Sequence, residues 1–269
     1  MAAVEYIGRK ATFWTVGRLR LAGLVAVLGA WELAGLSGLF FSDVLPSAFR
    51  IVRAMGQLLI SREFYNHLWV TVFEVLVSFV LGAVTGTLAG LALGISRRAG
   101  DIFEPFIHYL APTPKIVFLP ILLVLFGVGM GSKIALGAIS CFFPMALNIA
   151  AGVREVSPTL LRVGRTFNLT RSQTIRMIYL PALIPAVATG FRIGLAVSIV
   201  GCLLSEYKLA RAGMGFLAGQ YGDKFAIAHM LAVLIFIFVL ASLGNAVIAR
   251  FVRLPGPGDP SRGKTAFDK

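Results

Sequence analysis

Few residues of this chain have the types and spacing that catalysis requires. His67, His108 and His229 stand apart in the sequence, and neither a Ser/His/Asp arrangement nor a metal-binding pattern is visible. Residues 258–265 match the phosphate-binding pattern G-x-x-x-x-G-K-T, which functions when a strand leads into the loop. Here a proline-rich stretch precedes the match, and Pro260 removes a backbone donor. We therefore interpret the match as chance and expect neither catalysis nor a bound cofactor or metal.

Charged residues inside apolar runs are the stronger candidates for function. Glu32, Glu74 and Arg192 interrupt such runs, where a charge costs at least about 2.5 kcal/mol on membrane-insertion scales. Such residues either line a substrate pathway or pair between helices, as Glu74 could with Arg192. Both interpretations remain open, and the candidate pathway residues are Glu74, Lys115, Arg192 and Glu206.

Composition predicts a membrane protein. The 269 residues are 58% hydrophobic and 14% charged, with a mean hydropathy of +0.86, whereas soluble domains average about 25% charged residues. This excludes disorder for the bulk of the chain. Cys141 and Cys202, the two cysteines, both lie in apolar runs, so a disulfide scaffold is excluded as well. The net charge of +13 fits basic cytoplasmic loops better than nucleic-acid binding.

Hydrophobicity predicts an all-α membrane protein with six transmembrane helices. The third span contains Pro112, Pro114 and Pro120. Lys and Arg are concentrated at both ends of the chain and in alternate loops, which places both termini in the cytoplasm. We expect residues 1–18 to be a cytoplasmic segment, 19–253 the transmembrane domain and 254–269 a flexible cytoplasmic tail. The predicted spans are 19–39, 70–95, 107–128, 134–153, 184–204 and 226–251.

Two further patterns concern packing outside and inside the spans. Ser47 is in position to cap a short helix that reaches about Ile60. Glycines recur every fourth residue from Gly82 to Gly94, and Gly190 and Gly194 repeat the spacing. Such a ridge allows close approach of another helix. We interpret it as packing within one bundle, with a sliding or dimer-forming surface as the alternative.

The loop at 154–181 carries the most local information. Ser157 followed by proline predicts a helix start, and Asn168 can adopt the left-handed conformation that ends a helix. Thr170, with a glutamine three residues later, predicts a capping box for a second helix that stops at Pro181. We expect a bent helix pair with a basic exposed face at the membrane surface. An amphipathic loop resting on anionic lipid is the simpler alternative.

This loop resembles the signature of permease subunits of ATP-binding-cassette importers: Glu-Ala-Ala, three residues, Gly, nine residues, Ile, one residue, Leu-Pro. Residues 162–164 take the Glu-Ala-Ala positions, Asn168 takes the glycine position, and Ile178 and 180–181 follow at the expected spacing. Arg162 reverses the charge of the family's Glu. Flanking motifs narrow the resemblance to the nitrate/taurine/aliphatic-sulfonate/bicarbonate group: LPS at 45–47, PTPK at 112–115, LP at 119–120, FGVG at 126–129, SK at 132–133, FFP at 142–144, GFR at 190–192 and SE at 205–206.

The resemblance implies a type I importer permease in the bacterial inner membrane, without catalytic residues of its own. It implies a second permease copy, two ATPase subunits that bind ATP and Mg, and a periplasmic or lipoprotein substrate-binding protein. It also implies that the loop acts as a coupling helix, with Leu161 and Phe167 inserted into the ATPase. A small organic or inorganic anion is the expected substrate. The implied coupling residues are Leu161, Arg162, Val163, Gly164, Phe167, Asn168, Leu180 and Pro181.

Two other classes of function compete with this interpretation. An ATP-independent channel or secondary carrier would need no ATPase, although no inverted repeat is evident. A structural membrane anchor would need no pathway, and the polar residues in the spans argue against it. The identity of the substrate and of the second permease stays open.

Overall fold

The structure is a computed structural model that describes residues 2–37 and 44–251. Every regular element within those ranges is helical. A 3₁₀ turn spans Lys115–Phe118, and a π-helical turn spans Ile175–Tyr179. The α-helices are α1 (Ala2–Leu36), α2 (Ala48–Ile60), α3 (Arg62–Ile95), α4 (Arg97–Leu110), α5 (Leu119–Phe126), α6 (Met130–Glu155), α7 (Pro158–Thr166), α8 (Arg171–Thr174), α9 (Leu180–Ala182), α10 (Ile184–Leu209), α11 (Met214–Asp223) and α12 (Ile227–Phe251).

Four helices of the described ranges, α3, α6, α10 and α12, are long and apolar enough to cross a membrane. The pair formed by α4 and residues 115–126 is a possible fifth span, bent by 97° where the sequence predicts a proline-broken span. The predicted first span begins within α1, and residues 38–43 lie outside the described ranges, as does the predicted flexible tail at 254–269. The count of six spans stays a prediction.

The chain divides into two compact units, Met1–Arg62 with Ala218–Ile235 and Glu63–Leu217 with Phe236–Lys269. In the first unit, the predicted helix after Ser47 is present as α2, but Ser47 makes no side-chain capping bond. Instead Glu32 Oε2 accepts a hydrogen bond from Ala48 N at 2.7 Å. The expectation of a serine cap is therefore wrong, because a carboxylate from α1 takes the free backbone donor at the start of α2.

In the second unit, α6 lies between α3 and α10, and glycines make both contacts close. A Cβ at Gly86 would lie 2.6 Å from Met145 Cβ, and one at Gly194 would lie 2.8 Å from Cys141 Sγ. Successive glycines of α3 meet successive turns of α6 in the same order, so these helices run parallel, whereas α10 runs antiparallel to α6. The ridge is therefore used for packing within the bundle, as the sequence predicts.

Candidate functional site

Four side chains from three helices form a polar cluster inside the second unit. It consists of Thr71 and Glu74 on α3, Lys133 on α6 and Glu206 on α10. Both glutamates have no exposed surface, and Lys133 is 5% exposed. The ammonium of Lys133 lies 3.1 Å from Glu74 Oε1, which makes this a buried ion pair.

The pairing of Glu74 with Arg192 considered from the sequence is wrong. Because α10 runs antiparallel to α6, its C-terminal end meets the start of α3 and α6. Arg192 lies 14 residues before Glu206, a helical rise of about 21 Å, and its side chain is exposed. Glu74 therefore pairs with Lys133, which lies just outside the predicted fourth span.

The polar cluster also holds the segment that follows α10. Glu206 accepts hydrogen bonds from Thr71 Oγ1 at 2.6 Å and from Gly215 N at 2.7 Å. Thr71 Oγ1 in turn accepts one from Met214 N at 2.7 Å. Gly213 has a φ of 119°, in the region that favours glycine, and its N–H donates to His67 Nδ1 at 3.0 Å. Three successive backbone amides are thus fixed by side chains of α3 and α10.

Lys115 lies at a separate cavity of about 550 Å³ between the helix bend at 111–116, α6 and α10. Among the described residues that line this cavity, Lys115 is the one with a charged side chain, and Thr113, Ser140 and Asn148 add polar groups to an otherwise apolar wall. Its ammonium donates to the carbonyls of Ala111 and Thr113. It also lies 4.9 Å from the centre of the Phe143 ring, a cation–π contact.

The four predicted pathway residues therefore do not form one site. Lys115 lines the cavity, Glu74 and Glu206 belong to the polar cluster, and Arg192 is exposed on α10. A cavity with a mostly apolar wall and a few polar groups is typical of small-molecule binding sites. Lys115 places a positive charge at this cavity.

The segment 154–181 folds as the sequence predicts over most of its length. Ser157 Oγ accepts from Thr159 N at 3.3 Å at the start of α7, and Asn168 has a φ of 52° after its end. Thr170 and Gln173 form the capping box: the Thr170 hydroxyl accepts from Gln173 N at 3.3 Å, and Thr170 N donates to Gln173 Oε1 at 2.8 Å. The bend between α7 and α8 is thus fixed by local hydrogen bonds.

The expected stop of the second helix at Pro181 is wrong. The chain passes through the π-helical turn at Ile175–Tyr179 into α9, and Pro181 lies in the first turn of that helix. The proline is accommodated because the π-helical turn shifts the backbone bonds: Leu180 N donates five residues back to Ile175 O, just before the residue that lacks an N–H. Leu183 N then donates to Tyr179 O, so the helical path continues to α10.

The predicted coupling residues differ in exposure. Phe167 is 75% exposed at the end of α7. Gly164 is buried, and a Cβ there would lie 2.8 Å from Ile178 Cδ1. Leu161 is half-buried and lines an intrachain cavity of about 910 Å³. The exposed members are Arg162, Val163, Phe167, Asn168, Leu180 and Pro181.

Sequence reasoning missed two groups of polar contacts. Arg154 and Glu104 form a two-pronged ion pair beside the cavity that Leu161 lines. Lys133 and Thr71 complete the polar cluster. Their partners lie 50 to 135 residues away in the chain, so no local pattern reveals them. The one signal for Lys133 was its place in the SK motif at 132–133.

Comparison with known proteins identifies relatives. The family model described as "Binding-protein-dependent transport system inner membrane component" matches residues 78–257. The putative aliphatic sulfonates transport permease protein SsuC of Bacillus subtilis (strain 168) is 30% identical over 78% of this chain and 75% of its own length. The taurine transport system permease protein TauC of Escherichia coli (strain K12) is 28% identical over 86% of each chain.

A third relative and a solved structure extend this comparison. The nitrate import permease protein NrtB of Synechocystis sp. (strain ATCC 27184 / PCC 6803 / Kazusa) is 25% identical over 80% of this chain and 82% of its own length. An inward-facing structure of the MetNI methionine ABC transporter aligns with a TM-score of 0.63 at 21% identity. The alignment covers 77% of this chain and 97% of that one, and it shows that the two share a fold.

Proposed function

The chain belongs to the family of binding-protein-dependent transport system inner membrane components, and we propose that it forms the substrate pathway of an importer for a small anion, driven by ATPase subunits that bind at 154–181. It is a multi-pass permease of the sulfonate/taurine/nitrate type. The observation that carries the coupling proposal is Phe167, an aromatic side chain 75% exposed on a helix pair fixed by caps at both ends.

The proposed assembly contains two copies of this chain, two ATPase subunits that bind ATP and Mg, and a periplasmic or lipoprotein binding protein. Both termini and the segment 154–181 lie in the cytoplasm in this arrangement. Movement of an ATPase reaches the membrane helices through α7 and α8, and then through the helical path from Ile175 into α10, in which Leu183 forms a single turn between α9 and α10. The chain itself supplies no catalytic group to ATP hydrolysis.

The proposed substrate class rests on the cavity at Lys115. A single cation in a mostly apolar cavity of about 550 Å³ suits a small anion with an apolar part, such as taurine, an aliphatic sulfonate or a carboxylate, or the small ion nitrate. The names of the relatives include sulfonates, taurine and nitrate. Because Lys115 already satisfies two carbonyls and faces an aromatic ring, the anion replaces part of an existing set of contacts.

Coupling is tested by co-purification. Phe167→Asp places a charge where the proposal needs an apolar contact, so we expect the permease to be recovered from membranes in mild detergent without its ATPase. Phe49→Asp is the matched control, because Phe49 is a phenylalanine of similar exposure (73%) on α2. Equal recovery of ATPase with the Phe167 variant and the wild type would contradict the proposed contact.

Substrate class and energy source are tested by uptake into proteoliposomes with the ATPase and binding protein. We expect ATP-dependent uptake of taurine, an alkanesulfonate or nitrate. Lys115→Met should reduce it at least tenfold, whereas Lys115→Arg should retain most of it because the cation remains. Equal uptake by the Met variant would remove Lys115 from the pathway. Uptake driven by a proton gradient without ATP would favour a secondary carrier instead.

A further inference from the structure

The charges of the polar cluster do not balance. Glu74 and Glu206 are fully buried and lie within hydrogen-bonding reach of each other. Lys133 is the buried cation of the cluster, and it contacts Glu74. With all three ionised, the cluster would hold one uncompensated negative charge away from water, which is too costly to persist.

No second cation among the described residues supplies the missing charge. His67 Nδ1 accepts a hydrogen bond from Gly213 N, and an accepting ring nitrogen supplies no N–H to the cluster. Arg211 is exposed and lines a cavity of about 380 Å³ together with Lys133, so its charge is largely solvated. The other titratable groups near the cluster are the thiol of Cys202 on α10 and Glu63, which faces His67 on α3.

The hydrogen bonds leave one carboxyl oxygen of the two glutamates without a partner. Both carboxyl oxygens of Glu206 accept hydrogen bonds, from Thr71 and from Gly215. Glu74 Oε1 accepts from Lys133, but Glu74 Oε2 is buried and has no partner. An unsatisfied buried acceptor is costly. A proton shared between Glu74 and Glu206 would give this oxygen a hydrogen-bond partner.

We propose that the polar cluster is a proton-binding site, in which one proton is shared between the carboxyl groups of Glu74 and Glu206. The pair then carries a single negative charge, which the ammonium of Lys133 beside Glu74 balances. The site requires neither an ATPase nor a substrate, so it does not depend on the proposed function.

The bound proton also stabilises the segment 210–215. Glu206 and Thr71 hold the amides of Met214 and Gly215. Loss of the proton would leave two adjacent buried carboxylates that repel each other, and this weakens the hold of Glu206 on the segment. The segment lines the cavity that Lys133 and Arg211 share, so occupancy of the proton site sets access to that cavity.

The site is tested by infrared spectroscopy of the purified full chain in an ester-free detergent at neutral pH. Exposed Asp and Glu side chains are ionised there, so a carboxylic-acid C=O band that shifts in deuterated water reports a buried protonated carboxyl. We expect this band in the wild type and its loss in Glu74→Gln. Absence of the band from the wild type, or its persistence in Glu74→Gln, would overturn the proposal.

Matched amide variants of the two glutamates separate the proton site from general packing. Glu74→Gln introduces a neutral side chain that can donate a hydrogen bond to Glu206. It therefore mimics the protonated pair, and the variant should keep the wild-type melting temperature. Glu206→Gln replaces one of two accepting oxygens by an amide NH₂. This NH₂ would face another donor, either Thr71 or Gly215, so the variant should have a lower melting temperature. Equal destabilisation by both variants would contradict the proposal, because it would show that position 74 does not need a proton donor more than position 206 does.

The effect on the segment is tested with Arg211→Cys and an impermeant maleimide, since Cys141 and Cys202 are buried. At alkaline pH the proton dissociates. The maleimide should then label the Arg211→Cys variant faster than it labels the double variant with Arg211→Cys and Glu74→Gln at the same pH. The paired comparison removes the direct effect of pH on the thiol. Identical rates in the two backgrounds would show that the proton does not hold the segment.

Discussion

The polar cluster and the segment 154–181 lie at opposite ends of α6 and are stabilised in different ways. In the cluster, buried side chains are joined over long sequence separations, as in the bond between Thr71 and Glu206. In the segment 154–181, the caps join near neighbours, such as Thr170 and Gln173, and the surface is exposed.

This difference indicates a division of roles. A buried polar network is destabilised strongly when one partner is lost, so it holds one arrangement of three helices. A locally capped helix pair keeps its own shape whatever lies beside it, and its exposed face stays available to a partner. The following substitutions test this contrast in order of their expected effect on thermal stability in detergent.

Lys133→Met should have the largest effect. It removes the cation that pairs with the buried Glu74, and breaking a buried pair costs about 3–5 kcal/mol. The melting temperature should fall far more than in Lys224→Met, where the lysine is exposed. Similar melting temperatures for the two variants would show that the polar cluster does not hold the helices together.

Gly86→Leu should follow. A Cβ at this position would lie 2.6 Å from Met145 Cβ and 2.7 Å from the Phe142 carbonyl oxygen, so α3 and α6 must separate, at a cost of about 1–3 kcal/mol or more. Gly56→Leu is the control, since nothing lies within 4 Å of its Cβ position. Normal expression and melting of the Gly86 variant would refute the close contact.

Thr170→Ala should have a smaller effect, about 1 kcal/mol, because it removes the capping hydroxyl of α8. Loss of protection from amide hydrogen exchange should be confined to residues near 170–175, whereas Ser172→Ala on the same exposed turn should leave protection unchanged. If the loss of protection also reached the residues of the polar cluster, the cluster and the segment 154–181 would be coupled, and their stabilities would not be independent.

Phe167→Asp should have the smallest effect on stability, within about 0.5 kcal/mol, because the side chain is 75% exposed. Circular dichroism melting of the purified chain measures this. The variant therefore combines a normal melting curve with loss of the ATPase in co-purification. A large drop in melting temperature would mean that Phe167 packs within the fold.

The sequence by itself determined the membrane class, most of the long helices and the caps of the segment 154–181. These features depend on hydrophobicity along one stretch and on hydrogen bonds between near neighbours, and both can be read locally. Ser157, Asn168 and Thr170 behave as their local patterns predict.

Only the tertiary structure decided which charges meet. It paired Glu74 with Lys133 rather than Arg192, placed Glu32 at the start of α2 in place of Ser47 as the cap, and carried the helix through Pro181. The first two outcomes depend on the direction and register in which distant helices pack. The third depends on a π-helical turn that shifts the backbone bonds around the proline. The proton site follows from the same packing, because it exists only where α3, α6 and α10 bring two glutamates to one lysine.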